Sequence, residues 1–224
     1  MSTVALAWRE DGPPGAPPLV LLNSIGSTTE MWTPCLGPLV EDFRVIRIDT
    51  SGHGGSPPAP ADESTTIADL AGDVVAVLDA LGLERVALAG LSLGGMVGMW
   101  LAIHHPERVS RLALLCTSAQ LGPASFWTDR AASVRAGGMS SIGAAVVARW
   151  ITPGLAGRDP ALLASLQQMV ESVDAESYAQ CCEAIAAMDQ LADLGRIAAP
   201  TLVIGGADDP ATPVAHQRAI VERI

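Results

Sequence analysis

The chain has no lysine. All 13 basic residues among its 224 are arginine, and 24 acidic residues bring the net charge to −11. An acidic surface repels phosphate backbones and anionic headgroups, which argues against nucleic acid or membrane as a partner. In the same field, any anionic substrate needs a local arginine of its own. Cysteine is limited to Cys35, Cys116, Cys181 and Cys182, which have no metal-ligand spacing and include one adjacent pair. That usage predicts reduced thiols in a cytoplasmic protein and no bound metal. No apolar run reaches the roughly 18 residues that span a bilayer. Residues 1–10 lack a basic segment followed by an apolar core, so no secretory signal is read there.

Hydrophobic residues are plentiful, at 49%, and the mean hydropathy is +0.34. A single domain of this length buries roughly 70% of its unfolded surface. Apolar β-branched runs alternate with helical patterns, which predicts an α/β fold with a mostly parallel central sheet and helices on both faces. Strands are expected at residues 3–8, 19–23, 43–49, 85–89, 112–116 and 201–205. Residues 65–81 place Ile67, Leu70, Val74, Val77, Leu78 and Leu81 on one helical face, and residues 93–104 form a second helix that Pro106 stops. Residues 118–197 break this rhythm with helical patterns, Gly/Pro interruptions and no strand. The expected organisation is therefore a first core part at 1–117, a helical cap at 118–197 over the catalytic face, and a second, incomplete core part at 198–224.

The densest chemical signal is the run from Val86 to Met96, which holds Gly90-Leu91-Ser92-Leu93-Gly94. A strand feeding Gly-x-Ser-x-Gly and then a helix matches the nucleophile elbow of the α/β-hydrolase fold. A serine hydroxyl attacks only when an imidazole takes its proton and a carboxylate orients that imidazole. In this fold the acid follows a late strand, where Asp208 and Asp209 compete; Asp209 is favoured because Pro210 behind it fixes the turn. An oxyanion hole would use the Leu93 amide and, from the loop Asn23-Ser24-Ile25-Gly26-Ser27, the Ile25 amide. No histidine fits the third role. His104 and His105 lie on the elbow's own helix, roughly 18 Å from Ser92; His53 sits in a turn after a strand, and His216 is expected on an exposed helix. Residues 218–224 form a helical pattern without a stop signal. The sequence thus predicts a shortened chain lacking a last strand, the histidine loop and a closing helix.

With these residues in view, the chain resembles the 3-oxoadipate enol-lactonases of the α/β-hydrolase superfamily over residues 19–224. The likeness rests on Asn23-Ser-Ile-Gly26 with Met31-Trp32, Phe43-Arg-Val-Ile-Arg-Ile-Asp-Thr50 and Gly52-His-Gly54. It extends through Gly90-Leu-Ser-Leu-Gly-Gly-Met96, Arg135-Ala-Gly-Gly-Met139, Arg149-Trp-Ile-Thr-Pro153, Tyr178-Ala-Gln-Cys-Cys182 and Gly206-Ala-Asp-Asp-Pro-Ala-Thr-Pro213. It implies a serine hydrolase that opens a small carboxylate-bearing enol-lactone to 3-oxoadipate without a cofactor, in aromatic-compound breakdown, with Ser92 as nucleophile and Asp209 as acid. Two departures stand out. One short strand precedes Leu19 where the family has a hairpin, and the histidine segment is missing. Loss of the histidine from a serine hydrolase of unrelated fold costs roughly 10⁶ in kcat, so poor folding and poor turnover are expected of this chain. Arg130, Arg135 and Arg149 are the candidates for the substrate carboxylate, and Trp127 and Trp150 for the pocket wall. For each, a solvated charge or a core ring is the plain alternative. The alternative functions are another carboxylesterase, a haloperoxidase-like hydrolase, or a catalytically silent module.

Overall fold

One six-stranded sheet organises the computed structural model, which describes residues 5–224. Its strands are β1 (Trp8–Asp11), β2 (Pro18–Leu22), β3 (Arg44–Ile48), β4 (Val86–Leu91), β5 (Val109–Leu115) and β6 (Thr201–Ile204). They lie in the order β1-β3-β2-β4-β5-β6. All neighbours run parallel except β1 and β3. The helices are α1 (Leu36–Asp42), α2 (Ile67–Ala80), α3 (Leu93–His104), α4 (Ala124–Gly137), α5 (Gly143–Val147), α6 (Pro153–Arg158), α7 (Pro160–Glu171), α8 (Ala175–Ala187) and α9 (Val214–Val221).

Side chains alternate across the central strands, and both faces are covered, as a parallel sheet requires. Val20, Leu22, Ile46, Ile48, Leu88, Leu112 and Leu114 point into the larger core with α2 and α3. Leu19, Leu21 and Val45 point the other way, against Trp32 and the apolar side of α1. Helix α2 starts at a capping box in which the Thr66 hydroxyl and the Asp69 carboxylate satisfy each other's backbone amides. Its predicted apolar face is buried apart from Leu81, which is half-buried. Helix α3 is buried on nearly all sides, as befits a helix at the centre of the core.

The first strand differs from the expectation. Of the apolar stretch at 3–8, residues 5–7 are irregular and Trp8 begins the strand, while residues 3 and 4 lie outside the described residues. The strand is the charged segment Trp8–Asp11, an edge held by ion pairs of Glu10 with Arg44 (2.7 Å) and Asp11 with Arg47 (2.8 Å). On the opposite edge, β6 leaves Leu202 and Ile204 exposed at 57% and 46%, so this flank is both apolar and open to solvent.

Between β5 and β6 the regular structure is all helical, joined by turns and loops, apart from a single antiparallel bridge of Gln120 with Asp189. Here the excursion leaves and returns side by side: the Gln190 amide donates to the Ala119 carbonyl (2.9 Å), and the Gln120 side chain to Asp189 (2.8 Å). No helix among the described residues is long and apolar enough to cross a membrane.

Candidate active site

Three loops meet at the carboxyl ends of β2, β4 and β6. That edge is where open parallel sheets place their chemistry. The middle loop is the turn from β4 into α3. Ser92 stands there at φ 54°, ψ −112°, a left-handed conformation that costs a non-glycine residue about 1–3 kcal/mol and persists only when neighbours impose it. They do so on three sides. The Ser92 amide donates to the Leu115 carbonyl (2.9 Å), the Thr117 hydroxyl donates to the Ser92 carbonyl (2.7 Å), and the Gly94 amide donates to the Asn23 carbonyl (3.0 Å). Gly90 and Gly94 are required by close approach: a Cβ at Gly90 would overlap the Gly94 carbonyl, and one at Gly94 would overlap the Leu22 carbonyl. Ser92 is half-buried, and its hydroxyl has no hydrogen-bond partner among the described residues.

The second loop follows β2. Its Asn23 side chain accepts from the Trp32 indole (2.9 Å) and donates to Asp49 (3.2 Å), which also takes the Thr29 and Gly55 amides. Asp49 thereby ties the loop to the end of β3. The amides of Ile25 and Leu93 belong to buried residues and have no acceptor among the described residues. Unpaired buried amides are rare, and these two belong to the loops that the Gly94–Asn23 hydrogen bond joins beside Ser92.

The third loop carries the acid. Asp208 is exposed, whereas Asp209 is half-buried and fixed. Oδ1 of Asp209 accepts the Ala211 (2.8 Å) and Thr212 (3.0 Å) amides, and Oδ2 accepts the Thr212 hydroxyl (2.8 Å). Burial pushes its pKa up, but the donors from Thr212, Ala211 and the Cys116 thiol outweigh burial and hold it below the ordinary carboxylate value. Strands β4 and β6 are separated by β5, so their axes lie about 10 Å apart. No hydrogen bond joins Asp209 to Ser92 among the described residues.

None of the four histidines hydrogen-bonds to Ser92 or Asp209. His53 is fully buried and bonded to backbone on both ring nitrogens, to Ser51 (2.8 Å) and Gly26 (3.0 Å). His104 stacks on Trp100 with ring centroids 4.3 Å apart, and His105 pairs with Glu107 at 3.5 Å. His216, expected in solvent, is half-buried, with Nδ1 lacking a partner among the described residues; α9 turns that side of its first turn inward.

The segment between β5 and β6 packs against the loop after β2. Tyr178 and Trp150 lie against Gly26, where a Cβ would meet them at 3.2 and 3.8 Å. Arg130 and Arg149 share one aromatic platform: their guanidinium carbons lie 4.7 and 5.2 Å from the Phe126 ring centroid. Arg130 also approaches the buried Trp127 ring (5.2 Å) and donates to the Tyr178 hydroxyl (3.4 Å). Neither arginine is ion-paired among the described residues. Burial and then the Arg130 charge lower the Arg149 pKa, while the charges of Asp209 and Tyr178 raise it. Arg135 does not join them. Its guanidinium pairs with Glu176 (2.6 Å) and Glu183 (2.5 Å), which braces α4 against α8. Phe126 and Tyr178 were not singled out as site residues by the sequence, which offered only the Tyr178 motif as a clue. Among the described residues no cluster of three or more His, Cys, Asp or Glu could hold a metal ion.

This elbow, donor pair and acid loop on a parallel sheet define the α/β-hydrolase class, and the family model for the alpha/beta hydrolase fold matches residues 17–137. 3-Oxoadipate enol-lactonase 2 of Acinetobacter baylyi is 39% identical over 99% of this chain and 82% of its own length. Among solved structures, a hydrolase from Pseudomonas aeruginosa PA01 is 41% identical with a TM-score of 0.95, covering 99% of this chain and 83% of its own. The enol-lactonase from Burkholderia xenovorans LB400 is 39% identical with a TM-score of 0.95, over 99% of this chain and 85% of its own. The chain belongs to the 3-oxoadipate enol-lactonase family.

Proposed function

We propose that this chain opens 3-oxoadipate enol-lactone through an acyl-enzyme on Ser92. The carrying observation is the free hydroxyl at a braced, strained turn flanked by two acceptor-free amides. In this reading the hydroxyl adds to the lactone carbonyl, and the amides of Ile25 and Leu93 hold the oxygen that becomes negative. The ring C–O bond then breaks, leaving the opened chain esterified to Ser92 until water releases it. With no histidine bonded to Ser92 or Asp209, the hydroxyl's proton passes to water and the departing enol oxygen takes a proton from water, while Asp209, kept ionised by its donors, fills the acid's place. The segment 118–197 acts as a cap, Trp150 lines the site, and Arg130 with Arg149 takes the substrate carboxylate. These two cations share the Phe126 ring and neither is ion-paired among the described residues, so an anion relieves their repulsion as well as pairing with them. Trp127 supports Arg130 from behind.

A second reading, a binding module without turnover, is favoured by one observation: no histidine is bonded to Ser92 or Asp209. Hydrolysis of the enol-lactone by the wild type and by Ser92→Ala separates the two. The lactonase reading expects the variant to lose about 10³-fold or more in kcat. Equal rates would establish the module, and turnover of aryl esters without the lactone would assign a different ester hydrolase.

A further inference from the structure

We propose that His53, held as the neutral Nδ1–H tautomer, is the positioning residue that latches the oxyanion loop, so that protonating its ring releases Gly26 and disarms the site. The disarming step rests on the lactonase reading above; the latch itself does not. His53 is 0% exposed and lies between two backbone groups of opposite kind. Its Nδ1 faces the Ser51 carbonyl at 2.8 Å, and its Nε2 receives the Gly26 amide at 3.0 Å. A carbonyl only accepts and an amide only donates, so the partners fix the ring: proton on Nδ1, lone pair on Nε2. An imidazolium would present N–H to N–H at Gly26, and that bond would be lost.

Gly26 matters because it follows Ile25, whose amide is one of the two unpaired donors. At φ +80° Gly26 turns its own amide down into His53, while Tyr178 covers it from above. The Ile25–Gly26 peptide is thus clamped from both sides, and the clamp sets the direction of the donor one residue earlier. Two carboxylates face the ring. Asp49 lies after β3 and is occupied by Asn23, Thr29 and Gly55. Asp174 lies before α8 and is occupied by the Ser177 amide and hydroxyl (2.8 and 2.7 Å). Burial disfavours the charged ring more than these carboxylates and Ser51 favour it, so the pKa of His53 lies below its ordinary value. The latch is therefore closed above about pH 6.5, the unfolded-chain value, and opens as pH falls through the lower folded value.

NMR on the wild-type chain tests this without any turnover. Long-range ¹H–¹⁵N correlation should show His53 protonated at Nδ1 at pH 8. On acidification the ring and the Gly26 amide should titrate together below about pH 6.5, with the Gly26 exchange protection falling about tenfold or more. A ring protonated at Nε2, a transition at or above that pH, or a Gly26 amide indifferent to the titration would overturn the latch. For the catalytic link, lactone hydrolysis at pH 8 is compared in His53→Leu and His53→Gln. Leu should cost roughly 10²-fold in kcat, as loss of an oxyanion donor does, with KM within about twofold. Gln, whose carbonyl can still accept from Gly26, should recover part of it. Wild-type kcat in His53→Leu would break the link, whereas no turnover in wild type would sink the lactonase reading and leave the NMR result standing.

Discussion

Replacing Arg149 with methionine should make the free chain more stable and its grip on an anion weaker, two effects of opposite sign from one lost charge. The Arg130 and Arg149 guanidinium carbons lie 4.7 and 5.2 Å from one ring centroid, so the two charges are within about 10 Å of each other. At that separation like charges repel by about 0.4 kcal/mol in water and about 1.7 kcal/mol at an effective dielectric of 20. Arg149 is only half-buried, and solvent screening puts the term at about 0.5–1 kcal/mol. Methionine keeps an unbranched, polarisable side chain against Phe126 while removing the charge. For a domain of this size the thermal midpoint should rise by about 1–4 °C. A charge-assisted hydrogen bond to a carboxylate contributes about 1.5–3 kcal/mol, which predicts adipate binding weaker by roughly 10- to 150-fold. Scanning calorimetry and titration calorimetry with adipate read the two effects separately. A lowered midpoint, or an adipate affinity changed by less than about threefold, would refute the idea that the two arginines are held apart for an anion.

Thr117→Val removes the hydroxyl that clamps the Ser92 carbonyl while keeping the side-chain shape. It should cost about 1 kcal/mol and lower the midpoint by about 2–4 °C, with Thr117→Ser restoring most of it in the same melting experiment. Asp209→Asn should be less stable than wild type at neutral pH. The depressed Asp209 pKa contributes stability above the unfolded value, and that stability is lost as pH falls through the folded value. Urea melts from pH 7 to pH 3 should therefore show the gap between the two proteins closing below about pH 4; a constant gap would contradict the hydrogen-bonded carboxylate.

Features set by neighbours in the chain are legible in the sequence alone. The elbow glycines, the apolar face of α2 and the runs that became β2 to β6 are all local patterns, and the strand ends agree to within a few residues. Strand β1 was not readable, because charge pairing to β3 selects it and no apolar periodicity marks Trp8–Asp11. Arg130, Arg135 and Arg149 looked alike in sequence. Only tertiary contact shows that Glu176 and Glu183, 41 and 48 residues downstream, occupy Arg135 and leave the other two unpaired. His53 was hidden for the same reason: its partner Gly26 is 27 residues away, and no local rule connects them. Asp209 was favoured over Asp208 for the Pro210 behind it, whereas the structure holds its carboxylate through Thr212 and Ala211 closing back on it.

The side-by-side anchoring at Ala119–Gln120 and Asp189–Gln190 has a consequence for how such a molecule changes over time. Because the helical excursion leaves and returns at one place, a change of length within it need not shift the register of any strand, although Asp174, Tyr178 and Gln180 also tie it to Gly52, Gly26 and Pro60. Variation is therefore cheapest at the helical residues that touch neither those loops nor the bridge, and dearest at the three that do.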